Sequence, residues 1–168
     1  YELAQRYLNG DGAPANEKEA VNWLEKAAKK NDAPSQHLLG FCYANGLGVK
    51  QNLNQAVLWY RKAASLGLAE AQYKMGYCCE MGMGTQRNET ESASWYRKAA
   101  EQGLIQAQYA LAACYDEGRG VQKNYQEKLK WFLLAAEYGH AGAQGKIARC
   151  YYYGQGIEQR DYVEALKW

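Results

Sequence analysis

Tryptophan recurs at Trp23, Trp59, Trp95 and Trp131, each 36 residues after the last. A period held across most of a chain excludes a single irregular domain and marks an array of one repeated supersecondary unit. Ala28, Ala64, Ala100 and Ala136 keep the same step, as do the glycine pairs at 10/12, 46/48, 82/84, 118/120 and 154/156. The chain therefore reads as four full repeats and part of a fifth. In the fifth, Gly156 to Ala165 spans one residue more than Gly48 to Ala56, so Trp168 arrives one position late.

Each unit is predicted to be two helices. Asn16, Asn52, Asn88, Asn124 and Asp161 carry side-chain oxygens that accept from the unpaired N–H groups of a first turn. Three residues on come Glu19, Gln55, Glu91, Glu127 and Glu164, a capping-box variant that places five second-helix starts. Ala56, Trp59, Tyr60 and Ala63 then form an apolar stripe at helical spacing, which puts each Trp in the interior between helices. Gly67, Gly103 and Gly139, with Asn31 in the first unit, end those helices in the left-handed conformation. The first helix is expected to be shorter. It carries Leu39, Gly40 and Tyr43, then Met75, Gly76 and Cys79, then Leu111, Ala112 and Tyr115, then Ile147, Ala148 and Tyr151. Small residues at the Gly40 position let a neighbouring helix approach.

The stretch from Leu39 to Gly67, LGFCYANGLGVKQNLNQAVLWYRKAASLG, resembles the Sel1-like repeat, a relative of the tetratricopeptide repeat. The likeness recurs in every unit. It departs from the family's pattern at Cys79, Thr85, Ser92, Lys128 and Leu134, which weakens individual packing sites. The resemblance implies an all-α fold, a right-handed α/α superhelix (solenoid) of 36-residue helix-turn-helix repeats. Residues 1–168 read as a single array, and Tyr1 and Trp168 each align inside a helix, as in a segment of a longer protein.

Composition fits a packed domain, with 48% apolar residues and no apolar run long enough to span a bilayer. Direct membrane insertion is not expected. Cys42, Cys78, Cys114 and Cys150 are 36 apart, hence roughly 8–10 Å apart on neighbouring helices, whereas a disulfide needs Cα atoms within about 7 Å. They read as small buried thiols, with vicinal Cys78 and Cys79 as a minor redox alternative, and free thiols favour a reducing compartment. The relatives' helix-linking disulfides use cysteines eight apart, a spacing this chain lacks.

Catalytic and metal signatures are missing. The two histidines, His37 and His140, have no cysteine at ligand spacing, and no G-x-S-x-G, S-x-x-K or phosphate-binding loop occurs. No cofactor is expected. A net charge of +2 from 20 basic and 18 acidic residues offers no dense basic stripe, so nucleic acid is not an expected partner. Arg61-Lys62 and Arg97-Lys98 read as a solvated outer face.

Projected at 100° per residue, the first helix buries Leu39 and Tyr43 and directs His37, Phe41 and Ala44 the opposite way. A lone amphipathic helix would place polar groups there. The equivalent positions hold Tyr1, Gln5 and Leu8; Tyr73, Tyr77 and Glu80; Tyr109, Ala113 and Asp116; and Gly145, Arg149 and Tyr152. In the family this chain resembles, first helices line a concave face that holds peptides or partner proteins. The resemblance then implies a non-enzymatic scaffold whose partner-binding residues are Tyr1, His37, Phe41, Tyr73, Tyr77, Glu80, Tyr109, Asp116, Arg149 and Tyr152. Some of these rings pack sideways on the next repeat in the competing reading. Two other functions stay open at this point, an enzyme of the cysteine-rich Sel1-like β-lactam-binding type and a purely structural spacer.

Overall fold

The computed structural model describes residues 1–9, 16–157 and 159–168, in which ten α-helices and no strand occur. They fall into two compact units, Tyr1–Arg87 and Asn88–Trp168. The first holds α1 (Glu2–Asn9), α2 (Glu17–Ala28), α3 (Ala33–Asn45), α4 (Leu53–Ser65) and α5 (Ala69–Met81). The second holds α6 (Glu89–Glu101), α7 (Ile105–Glu117), α8 (Tyr125–Glu137), α9 (Ala141–Tyr153) and α10 (Tyr162–Lys167). Odd-numbered helices are first helices of a repeat, even-numbered ones second helices.

All five expected N-caps are present. Asn16, Asn52, Asn88, Asn124 and Asp161 accept from the N–H three residues on, at 3.1, 3.1, 3.0, 3.1 and 2.8 Å. The N-cap's own N–H goes elsewhere than a capping box predicts. Those of Asn16, Asn52, Asn124 and Asp161 donate to the carbonyls of Tyr7, Tyr43, Tyr115 and Tyr151 on the first helix of the same repeat. The acids Glu91, Glu127 and Glu164 accept instead from the indole N–H of Trp95, Trp131 and Trp168. One short motif thus ties helix start, first helix and tryptophan together.

Left-handed backbone occurs where expected, at Asn31, Gly67, Gly103 and Gly139. The first helix begins two residues later and runs to a left-handed glycine cap at Gly46, Gly82, Gly118 or Gly154. It is therefore as long as the second: α3, α5, α7 and α9 have 13 residues each, like α4, α6 and α8. The expectation of a shorter first helix is corrected, because it missed a helix that starts directly after its predecessor's cap.

Two interlocks between repeats were not foreseen. Gln36, Gln72 and Gln108 recur at the 36-residue step, are 1–6% exposed, and donate through Nε2 to the carbonyls of Ala28, Ala64 and Ala100. Each satisfies an orphan carbonyl at the C-terminus of the preceding second helix. The second loop glycine has a steric duty as well. A Cβ on Gly48, Gly84, Gly120 or Gly156 would collide with the carbonyl of Glu17, Leu53, Glu89 or Tyr125 at the start of the previous repeat's second helix. The glycine pair at 10 and 12 lies outside the described residues.

The core follows the predicted helical stripe with one correction. Ala56, Val57, Tyr60, Ala63 and Ala64 of α4 are buried, as are Ala93, Tyr96, Ala99 and Ala100 of α6. Trp23, however, is 39% exposed, Trp59 and Trp95 are half-buried, and only Trp131 among the four is buried, at 8%. The stripe is centred one residue beyond the tryptophan, on Leu24, Tyr60, Tyr96 and Phe132, which are 0–3% exposed. Each indole lies at the flank, with Lys26, Lys62, Lys98 or Lys130 over its face at 4.0–5.1 Å. Gly40 is as small as its place demands, since a Cβ there would lie 2.8 Å from the Tyr60 ring.

All five cysteines are free and buried. Burial raises the thiols of Cys42 and Cys114 to about 11, with Glu17 and Glu117 respectively adding to the effect.

Candidate partner-binding face

In the first unit, α1, α3 and α5 carry the residues in question. Tyr1, Phe41 and Tyr77 are 45%, 39% and 40% exposed. Phe41 and Tyr77 occupy the same position in adjacent repeats, and Tyr1 receives a hydrogen bond from Gln5 Nε2 at 2.9 Å. Glu80 is half-buried at the end of α5. Tyr73 is half-buried too, and burial raises its hydroxyl pKa.

His37 turns inward. Its ring sits 5.5 Å from that of Tyr60, and Nε2 is buried with no hydrogen-bond partner among the described residues. Burial lowers its pKa, Lys74 of α5 lowers it further, and Glu70 opposes both. His37 thus packs as a neutral ring at the edge of the core.

In the second unit the expected ladder breaks up. Tyr109 stacks on His140 with centroids 4.3 Å apart and also meets Phe132 at 5.3 Å, so it packs sideways against the following helix start. His140 accordingly stands at the N-cap of α9 without a side-chain cap bond. Asp116 forms an ion pair at 2.8 Å with Lys128, which is 4% exposed and also donates to Gln155 Oε1 at 2.8 Å. Lys128 occupies the place of Ala20, Ala56 and Ser92, so what reads in sequence as a weakened packing site is a buried charge with two partners. Its signal was visible as an acid at 116 beside a lysine in an alanine position. Arg149 and Tyr152 are exposed, and Tyr152 makes edge contacts with Tyr153 and Tyr162.

The outer face differs from the solvated surface expected. Besides the lysines over the indoles, Arg97 Nη2 donates to the Tyr115 hydroxyl at 2.7 Å and ties α6 to α7. Among the described residues, no group of His, Cys, Asp and Glu could hold a metal ion, and no helix is long and apolar enough to cross a membrane.

The Sel1 repeat model matches residues 1–32, 33–68, 69–104, 105–140 and 141–168. The chain belongs to the Sel1 repeat family. It is similar to a Sel1 repeat protein from Oxalobacter formigenes, with 39% identity and a TM-score of 0.92 over 99% of this chain and 68% of that one. A protective antigen of uropathogenic Escherichia coli with the SLR fold is 36% identical at a TM-score of 0.94, over 98% of this chain and 35% of that one. The cysteine-rich protein B of Helicobacter pylori shares the fold at 22% identity and a TM-score of 0.62, over 82% of this chain and 98% of its own length. No curated protein sequence is significantly similar to the chain. Sel1 repeat proteins are generally protein-interaction scaffolds and typically lack catalysis, which agrees with an all-helical repeat solenoid of this kind.

Proposed function

We propose that the chain is a non-catalytic scaffold that binds a peptide or protein along the exposed side of its first helices, with Phe41 and Tyr77 as anchors. The observation that carries this reading is their exposure, 39% and 40%, at equivalent positions where a solvated helix would be polar. Interfaces concentrate their energy in a few aromatic anchors, and tyrosine supplies rigid contact area and a hydroxyl at little entropic cost.

Tyr1, Tyr73, Glu80, Arg149 and Tyr152 are assigned to the rim of such contacts. His37, Tyr109 and Asp116 act behind it, holding neighbouring side chains in place. Nothing in the charge balance favours nucleic acid as the ligand, and the partner is a protein. The test is capture from a lysate on the immobilised chain with mass spectrometry, repeated with the Phe41→Ala/Tyr77→Ala variant. A partner retained by the parent and lost by the double variant supports the reading. Retention of the same partner by both rejects it.

A further inference from the structure

A cleft of about 530 Å3 lies open on α9 and α10, lined chiefly by Ala148, Tyr152, Tyr162, Ala165 and Leu166. Stepping back four repeats, and allowing for the one-residue slip, Ala148, Tyr152, Ala165 and Leu166 correspond to Ala4, Leu8, Ala20 and Val21. In the first unit those four residues pack in one cluster with Leu39 and Cys42 of α3, both 0% exposed. The cleft is thus the receiving half of a contact the fold already makes, with nothing seated in it. Val21 is 4% exposed, whereas its counterpart Leu166 is 88% exposed.

The inserting half is also present. Leu3 and Arg6 of α1 stand in the positions of Leu39 and Cys42. Leu3 is 44% exposed, although Leu39, Met75, Leu111 and Ile147 are each 0% exposed, and Arg6 is exposed where the equivalent cysteines are buried. The two halves depart from the internal repeats in a matched way. An arginine replaces cysteine on the inserting helix, while Tyr152, Tyr153 and Tyr162 replace Leu8, Asn9 and Glu17 around the cleft. A guanidinium is attracted to tyrosine faces when the two are buried together.

We propose that the α9–α10 cleft receives α1 of a second copy of this chain, so that copies associate head to tail through the same helix packing that α3 makes on α1 and α2. Each copy then has one donor face and one acceptor face, and such a heterologous contact extends into chains unless its rotation closes.

The experiment is sedimentation of the chain and two variants over a range of concentrations. Leu3→Glu disables the donor and Leu166→Glu the acceptor, and both side chains are exposed, so helicity by circular dichroism is expected to be unchanged. The parent chain should form dimers and longer species as concentration rises. Each variant alone should stay monomeric, and their mixture should form a one-to-one dimer and nothing larger. A parent that remains monomeric, a single variant that associates as the parent does, or a mixture without dimer overturns the proposal. Arg6→Glu provides a second donor variant with the same expected behaviour should Leu3→Glu lose helicity.

Discussion

Tyr96 is 2% exposed, whereas Trp95, beside it on α6, is half-buried with the Lys98 ammonium 4.3 Å above its ring. Truncating a fully buried aromatic removes its transfer energy and leaves a cavity, about 3–5 kcal/mol in total. Tyr96→Ala should therefore cost about that much in denaturant titration, and Trp95→Ala distinctly less, despite the larger side chain. A Trp95→Ala cost equal to that of Tyr96→Ala would place the indole in the core after all. Lys128 supports a second prediction at this scale. Removing one partner of a buried ion pair costs about 3–5 kcal/mol, because the remaining charge stays in a poor solvent. Asp116→Ala should approach the lower end of that range, since Gln155 remains bonded to Lys128. Adding Lys128→Ala should recover much of the loss, because the second repeat holds Ala44 and Ala56 in those two places. His37 supports a third. Its folded pKa lies below that of the unfolded chain, so the unfolded state binds more protons as pH falls below about 6.5 and stability drops there. His37→Tyr, the residue present at 73 and 109, should flatten that part of the stability profile. A variant that keeps the same acid slope would show that other groups cause it.

At the scale of elements, helix ends are tied to their neighbours more tightly than motif reading suggests. The glutamine at the fourth position of α3, α5 and α7 closes the C-terminus of the helix before it. The second loop glycine brings each turn against the start of the previous second helix. Gly84 and Gly103 separate these effects, because both have positive φ, 67° and 86°, yet only Gly84 meets backbone where a Cβ would go. Left-handed backbone costs a non-glycine residue about 1–2 kcal/mol. Gly103→Ala should cost about that amount in thermal or chemical unfolding. Gly84→Ala should cost clearly more, since the Leu53 carbonyl must move. Equal costs would mean that the loop yields without strain.

For the whole molecule, the repeat makes a long surface from local contacts, and each hairpin buries its apolar face on adjacent ones. A binding site on such a surface is separable from the core. Phe41→Ala with Tyr77→Ala should weaken partner binding at least tenfold, or about 1.4 kcal/mol, while the melting temperature changes little, because both rings are already about 40% exposed. Calorimetric binding with unfolding in parallel checks both halves. A double variant that unfolds would make the rings packing residues. One that folds and binds as tightly as the parent would move the site elsewhere. Arg61→Ala is a suitable comparison on the second helices, whereas Arg97→Ala also removes the bond to Tyr115.

Local rules were enough for the period, the helix pairs, the five N-caps and the left-handed helix ends. Asn, Asp and Gly act there on their own backbone within three or four residues, so spacing alone reveals them. The glutamine ladder was equally visible at 36, 72 and 108, but its meaning depends on a carbonyl eight residues back across a turn. Tertiary structure decided which aromatics are core and which are surface. The stripe turns by one residue between Trp59 and Tyr60 because a neighbouring first helix approaches at Gly40, and helical periodicity cannot register so small a rotation. It also decided that Phe41 and Tyr77 stay exposed while His37 and Tyr109, on the same projected face, pack against Tyr60 and His140. Projection of one helix assigns a direction to a side chain, but burial depends on what the next repeat places in that direction.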